Sequence, residues 1–333
     1  MKSPYLLFLG TETILGNAKT AAGLAYWRPE LCLGQIKSEG GTVNVGLKDL
    51  SLEEAVEAGV KTLIIGIAPF GGGIDERWVP TIIKALSLGL DVAAGLHQRL
   101  NEHVAISQAA KKFNRELHDV RQPKKIFTVG TGAKRTGKRL LTLGTDCAVG
   151  KKYTALAIEH EMRSRGINAD FRATGQTGIF IAGGGFSIDA VVSDFLSGAV
   201  ETLSPNNTVD HWDIIEGQGS LYHPSYAAVT VGLIHGSQAD KLVLCHDASR
   251  EYIDDVDGYP IPELQECMNG YIAIAKLTNN KASFAGISVN TSHFSEVDAQ
   301  QYLQKLAQQY SLPCCDPVRG GVAEIVDNLE CEL

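Results

Sequence analysis

The sequence predicts an α/β fold with two doubly wound, mostly parallel sheets, and three observations carry that expectation. Strand and helix signals alternate along the whole length. Lys61-Thr-Leu-Ile-Ile-Gly-Ile-Ala68 is a continuous apolar run of the kind found in strands buried on both faces. Polar or Gly-rich loops directly follow strands in the second half, and a parallel sheet gathers such loops along one edge.

The chain has 333 residues, enough for two domains of ordinary size. Apolar residues make up 44%, charged residues 20%, and 35 positions are Gly, a globular profile that suits many tight strand-to-helix turns. A net charge of −8 and a pI near 5.6 argue against nucleic acid or an acidic membrane surface as partner. No apolar run approaches the roughly 18–20 residues that span a bilayer. The apolar stretch within Met1–Gly10 is too short for a signal peptide and reads as the first buried strand. Seven scattered cysteines without C-x-x-C spacing suit reduced thiols in a cytoplasm. Adjacent Cys314 and Cys315 stand as buried or idle thiols, with a vicinal disulfide or metal site as the weaker reading.

In order, Tyr5–Leu9 reads as a strand, Asn17–Tyr26 as a helix stopping before Pro29, and Leu31–Ile36 as a second strand. Ser51-Leu-Glu-Glu54 is a capping box that opens a short helix ending at Gly59. The strand Lys61–Ala68, the loop Phe70–Gly73, the helix Asp75–Leu88, the strand Asp91–Ala94 and the helix Glu102–Phe113 follow. Gln122–Lys138 is the expected crossover, between domains placed at 1–125 and 135–333. Within it, Thr131–Lys138 imitates a phosphate loop but precedes a strand, so it reads as a surface turn.

The second half runs strand Arg139–Leu143, helix Lys151–Arg165, strand Ala169–Ala173, loop Thr174–Gly178 and helix Ser187–Leu203. It continues with strand Trp212–Glu216, loop Gly217–Ser220, helix Tyr226–His235, strand Lys241–Cys245 and helix Pro262–Leu277. Strand Ser283–Val289, helix Glu296–Gln309 and a last helix over Gly321–Leu329 complete it.

Leu140-Leu-Thr-Leu-Gly-Thr-Asp-Cys-Ala-Val-Gly-Lys-Lys-Tyr-Thr154 is strand, Gly-rich loop, lysine and helix, the layout of a phosphate-binding loop. Gly144, Thr145, Asp146, Gly150, Lys151 and Lys152 are the candidate anion-binding residues. The loop departs from the usual pattern twice. Five residues rather than four separate Gly144 from Gly150, and Lys152 stands where a Ser or Thr holds Mg²⁺. A phosphate-bearing ligand is therefore expected, with its hydrolysis left open. The loops at 144–150, 174–178, 217–220 and 246–250 are expected to converge on one site.

Gly144–Lys151 and Ile215-Glu-Gly-Gln-Gly-Ser220 resemble the phosphate loop and second acidic motif of dethiobiotin synthetase and related amidoligases, in which the acidic residue helps bind Mg²⁺. Taken with Ala173-Thr-Gly-Gln-Thr-Gly178, Leu221-Tyr-His-Pro224, Gly232-Leu-Ile-His-Gly-Ser237 and Leu244-Cys-His246, the pattern resembles the D-glutamate N-acetyltransferase-like family. The resemblance is dense over 139–250 and looser before it, at Ala18–Leu24 and Gly95–His97. It implies a Rossmann-like N-terminal domain, a C-terminal domain like that of P-loop nucleoside-triphosphate hydrolases, and acetyl transfer from acetyl-CoA to D-glutamate.

Acyl transfer to an amine needs a base, donors for an oxyanion, and cations for the substrate's carboxylates. His223 is the first candidate base and His246 the second, with Glu216 completing the catalytic set. The amides of Gly175–Gly178 or Gly217–Gly219 are candidate oxyanion donors. Gln176, Arg172, Arg250 and Arg319 are candidate substrate contacts, with surface ion pairs the competing reading for Arg172 and Arg250. Asn290 is a candidate adenine contact or a plain turn residue. Cys147 sits near a helix N-terminus, which favours a reactive thiol, although a small residue there also lets the loop close. No metal is expected for CoA, whereas ATP with Mg²⁺, held by Asp146 and Glu216, is the rival ligand of a ligase or kinase. A non-catalytic nucleotide-binding protein is the third reading. A homo-oligomer and a small-molecule substrate are expected.

Overall fold

The computed structural model describes residues 1–67, 70–123 and 125–331. Ala68, the expected end of one strand, and Lys124, within the expected crossover, lie outside the described residues. Two compact units form. One is Met1–Lys124 with Gln176–Ser187, and the other is Lys125–Gly175 with Ile188–Leu333.

In the first unit the elements are β1 (Tyr5–Gly10), α1 (Lys19–Trp27), β2 (Cys32–Lys37), α2 (Leu52–Glu57), β3 (Thr62–Ile65), α3 (Val79–Ser87), β4 (Asp91–Ala94), α4 (Val104–Phe113) and β5 (Leu117–Asp119). Their sheet order is β2-β1-β3-β4-β5, with every pair parallel. β1, β3 and β4 are buried at every position, which explains why they read as unbroken apolar runs. The capping box is formed: Ser51 Oγ accepts from the Glu54 amide at 3.2 Å, and Glu54 accepts from the Ser51 amide at 2.7 Å.

The second unit holds β6 (Lys138–Gly144), α5 (Lys151–Ser164) and β7 (Ala169–Arg172). The chain then makes α6 (Gln176–Ala182), which is counted with the first unit. There Thr177 Oγ1 shares a 2.9 Å hydrogen bond with Thr20 Oγ1 of α1, and Ile179, Phe180 and Ile181 are buried. Back in the second unit follow α7 (Ser193–Leu203), β8 (Trp212–Ile215), α8 (Ala227–Ser237), β9 (Lys241–Asp247), α9 (Leu264–Ala275), β10 (Ser283–Asn290), α10 (Glu296–Tyr310), β11 (Cys314–Cys315) and α11 (Ala323–Glu330). The sheet order is β11-β10-β9-β6-β8-β7, again parallel throughout.

The doubly wound architecture is as expected, and the differences are local. The loop expected over Thr174–Gly178 stops at Gly175, because α6 begins at Gln176. The helix expected from Ser187 is a 3-10 turn at Ile188–Ala190 followed by α7. Strands β5 and β11, three and two residues long, are too short to show a period in sequence. The imitation phosphate loop is filled from within, since the Thr131 and Gly132 amides donate to the Glu201 carboxylate at 2.9 Å. Cys314 and Cys315 are free and buried, and burial raises both thiols. No helix among the described residues is long and apolar enough to cross a membrane.

Arg139 fixes the base of the central strand β6. It is 1% exposed, and its guanidinium donates to Ser204 Oγ and to the carbonyls of Arg135, Thr136, Gly137 and Pro205 at 2.8–3.2 Å. Ser204 in turn donates to buried Asp213. Arg139→Met is expected to cost on the order of 3 kcal/mol, because it strands several buried acceptors at once. Urea unfolding of the two proteins checks this, and equal midpoints would show that the acceptors find other donors.

Candidate active site at the phosphate loop

β6 delivers the chain to the carboxyl edge of its sheet, where buried Leu140, Leu141 and Leu143 give way to Gly144. The loop then turns through Ala148 at φ 54° and Gly150 at φ 101°, both left-handed, before α5 opens at Lys151. Lys151 is 7% exposed and folds back, its Nζ donating to the Asp146 carbonyl at 2.7 Å. Burial pulls its ammonium below the usual lysine range. A Cβ on Gly144 would lie 2.7 Å from the Asp146 carbonyl oxygen and 2.9 Å from Lys151 Nζ, so the close fold of this loop needs glycine there.

The loop after β8 is fastened to the phosphate loop. The Gly217 amide donates to Thr142 Oγ1 at 3.0 Å, and Ser220 Oγ donates to the Thr145 carbonyl at 3.1 Å. Buried Tyr271 joins the two loops, accepting from the Leu221 amide at 2.9 Å and donating to the Gly144 carbonyl at 2.6 Å. Sequence reading missed Tyr271, which sits among apolar residues of a helix with no local signal.

Glu216 is 3% exposed, and its Oε2 accepts from the amides of Thr174 and Gly175 at 2.9 and 3.0 Å. Burial raises its pKa, against the opposing pull of Lys152, Lys151 and these amides. The Gly175 amide is thus engaged by a carboxylate, the Gly217 amide by Thr142, and Gly178 lies within α6. The Gly175 and Gly217 amides are spent on internal bonds rather than grouped around one acceptor position.

Asp146 is fully buried. Its Oδ2 accepts from Arg250 Nη1 and from the Asp254 amide, both at 2.9 Å, and its Oδ1 accepts from the Cys147 amide at 2.6 Å. Arg250 also donates to the Cys147 carbonyl at 2.9 Å and pairs with Asp254 at 3.2 Å, so it clamps the phosphate loop to the loop after β9. A ring nitrogen of His223, Cys147 Sγ and an Asp146 oxygen lie within 4.8 Å of one another. His223 Nδ1 accepts from the Ser225 amide at 3.1 Å, which leaves the neutral ring's proton on Nε2. Presented that way the ring is a donor. His246 Nδ1 meets Thr145 Oγ1 at 3.0 Å, and burial lowers its pKa, so the ring is neutral at pH 7. Cys147 is half-buried, and burial raises its thiol despite nearby Lys151.

The remaining candidates are held elsewhere. Arg172 binds Asp213 at 2.7 Å through both Nε and Nη2. Arg319 pairs with Glu296 at 3.1 Å and donates to the carbonyls of Thr291 and Phe294. Asn290 donates to Asp247 at 2.8 Å and accepts from the Ser292 amide at 3.1 Å, as a turn residue does. Gln176 lies in the first unit and accepts from Arg121 at 3.0 Å. The residues brought together at the phosphate loop are therefore Asp146, Lys151, Lys152, Glu216, His223, Arg250 and, through Thr145, His246.

A Rossmann-like domain of unknown function, DUF1611_N, matches residues 37–123, and its companion P-loop domain, DUF1611_C, matches residues 127–326. The chain belongs to the DUF1611 family. A DUF1611 protein of Anabaena variabilis, known from a crystal structure, is 31% identical, with a TM-score of 0.88 over 99% of this chain and 100% of its own. Two proteins named D-glutamate N-acetyltransferase, from Tritonibacter scottomollicae and a Pseudoalteromonas species, are each 46% identical over 329 residues, covering 99% of both chains.

Proposed function

We propose that this DUF1611 chain is an N-acetyltransferase that moves the acetyl group of acetyl-CoA to the amino group of D-glutamate. The observation that carries the reading is the 46% identity to two proteins of that name, which extends over 99% of each chain and so includes every loop of the site.

The geometry supports it. Coenzyme A brings a pyrophosphate and a 3′-phosphate, which backbone amides and lysines bind without a metal. Lys151 is a buried cation within such a loop, and an arriving anion would compensate the burial that now depresses its ammonium. Coenzyme A supplies the thioester, and the chain's residues hold it and move protons. The amine nitrogen attacks the thioester carbonyl carbon, the C–N bond forms, the C–S bond breaks, and the sulfur leaves as a thiolate that takes up a proton. That proton comes from the amine, and His223, with its own proton on Nε2, serves as a hydrogen-bond donor in this scheme. The raised Cys147 thiol stays protonated at neutral pH, which favours direct transfer over an acetyl-cysteine intermediate.

The ATP and Mg²⁺ reading fits less well. Lys152 replaces the usual hydroxyl ligand, Asp146 already accepts three hydrogen bonds, and a cation on Asp146 would face the guanidinium of Arg250. All seven cysteines are free thiols, which supports a reducing, cytoplasmic setting. The test is incubation of the purified protein with acetyl-CoA and D-glutamate, following thiol release and the mass of the product. Product that forms only with ATP and Mg²⁺, or no product from acetyl-CoA, would overturn the reading.

A further inference from the structure

Beside His246 the second unit contains a cavity of about 400 Å³, within the roughly 300–1,000 Å³ of small-molecule sites. It lies against the loop after β9, the start of α9 and the second half of α10. His246 is the link to the phosphate loop. Its Nδ1 meets Thr145, whereas its Nε2 has no hydrogen-bonding partner among the described residues, and the ring lines the cavity.

The lining sorts by chemistry. Arg250 and Lys305 bring two cations, and Glu251 and Glu263 bring two anions. Arg250 is committed to the phosphate loop, but Lys305 makes no ion pair among the described residues. Ile261 and Leu306 supply an apolar wall. Side chains of both signs suit a molecule that itself carries carboxylates and an ammonium. They do not suit the polyanionic nucleotide of coenzyme A, which belongs with the lysines of the phosphate loop.

We propose that this cavity is the acceptor site and takes a dicarboxylic amino acid. Lys305 holds the side-chain carboxylate, Glu263 orients the ammonium, and the methylenes lie along Ile261 and Leu306. His246 is the catalytic base. With its Nδ1 proton donated to Thr145 Oγ1, its Nε2 takes a proton from the ammonium, and the freed amine attacks the thioester carbonyl. That proton then passes to the departing thiolate, which restores the neutral ring, and the nitrogen's second proton is lost to solvent as the C–S bond breaks. This assignment rests on the acetyl-transfer reading, and it divides the labour between two histidines: His246 moves a proton, and His223 donates a hydrogen bond.

The test combines steady-state kinetics with calorimetric titration of D-glutamate into the intact protein. Lys305→Gln is expected to raise the D-glutamate KM about tenfold or more, with kcat and the acetyl-CoA KM little changed. Lys305→Arg is expected to restore it. His246→Gln is expected to lower kcat about 100-fold or more while D-glutamate still binds. An unchanged D-glutamate KM and affinity in Lys305→Gln would overturn the assignment. If the wild-type protein makes no product yet binds D-glutamate through Lys305, the reaction is wrong and the pocket stands. If it neither turns over nor binds D-glutamate, both fall.

Discussion

Lys151→Ala is expected to weaken coenzyme A binding by about one to two orders of magnitude, the effect of losing a charge-assisted contact to phosphate in a buried site. The lysine is 7% exposed and donates only to a backbone carbonyl, that of Asp146. A buried ammonium without a carboxylate against it destabilises the fold that holds it, and the depressed pKa of Lys151 expresses that cost. The same substitution is therefore expected to leave the melting temperature of the ligand-free protein unchanged or raised. This opposition makes the experiment informative. Weaker binding with undiminished stability identifies a residue kept for its ligand, as in other trade-offs between stability and function. Titration calorimetry with coenzyme A and thermal unfolding without it supply the two readings. Unchanged affinity would move the phosphates away from this loop.

Gly217→Ala is expected to be the most damaging single-methyl change at the site. An added Cβ would stand 1.8 Å from the Thr142 carbonyl oxygen, 2.9 Å from its carbon and 3.1 Å from Lys151 Cδ. Thr142 is part of the central strand β6 and cannot retreat without disturbing its neighbours β8 and β9. Overpacking of ordinary cores costs about 1–3 kcal/mol, and a backbone collision of this depth is expected to exceed that range. The loop would have to lift off β6, carrying Glu216 and the Ser220 and Leu221 contacts with it. Gly184→Ala is the matched control, since a Cβ there meets nothing within 4 Å. Urea midpoints and turnover of both variants test this, and a Gly217→Ala protein as stable and active as the control would refute it.

How much of this was legible beforehand follows from the range of each interaction. The phosphate loop is a local device of strand, glycines, lysine and helix within about 15 consecutive residues, and the chain spells it out. The convergence of loops was legible too, because parallel strands buried on both faces read as apolar runs and leave their following loops on one edge. Pairings between distant residues were not. Arg250 and Asp146 are 104 positions apart, and nothing in either neighbourhood announces the ion pair that takes Arg250 out of the pool of free cations. Tyr271 reaches Gly144 across 127 positions from a helix whose pattern otherwise reads as core. The proton on His223 is settled by the amide of Ser225, a matter of loop geometry rather than residue type. Helix α6, seven residues long and opening within a Gly-Gln-Thr-Gly stretch, reads as a loop because its glycine content masks the burial of Ile179, Phe180 and Ile181.

That short helix has a consequence for heredity. The polypeptide leaves one folding unit for the other at 124/125, returns at 175/176 and leaves again at 187/188. A gene cut at the first boundary would not yield two self-sufficient products. The downstream piece would carry three apolar side chains evolved for the upstream piece's core, and the upstream piece would lack one wall. An exchange of genes at that first boundary is thus expected to cost stability in both products, as urea unfolding of the separated pieces would show.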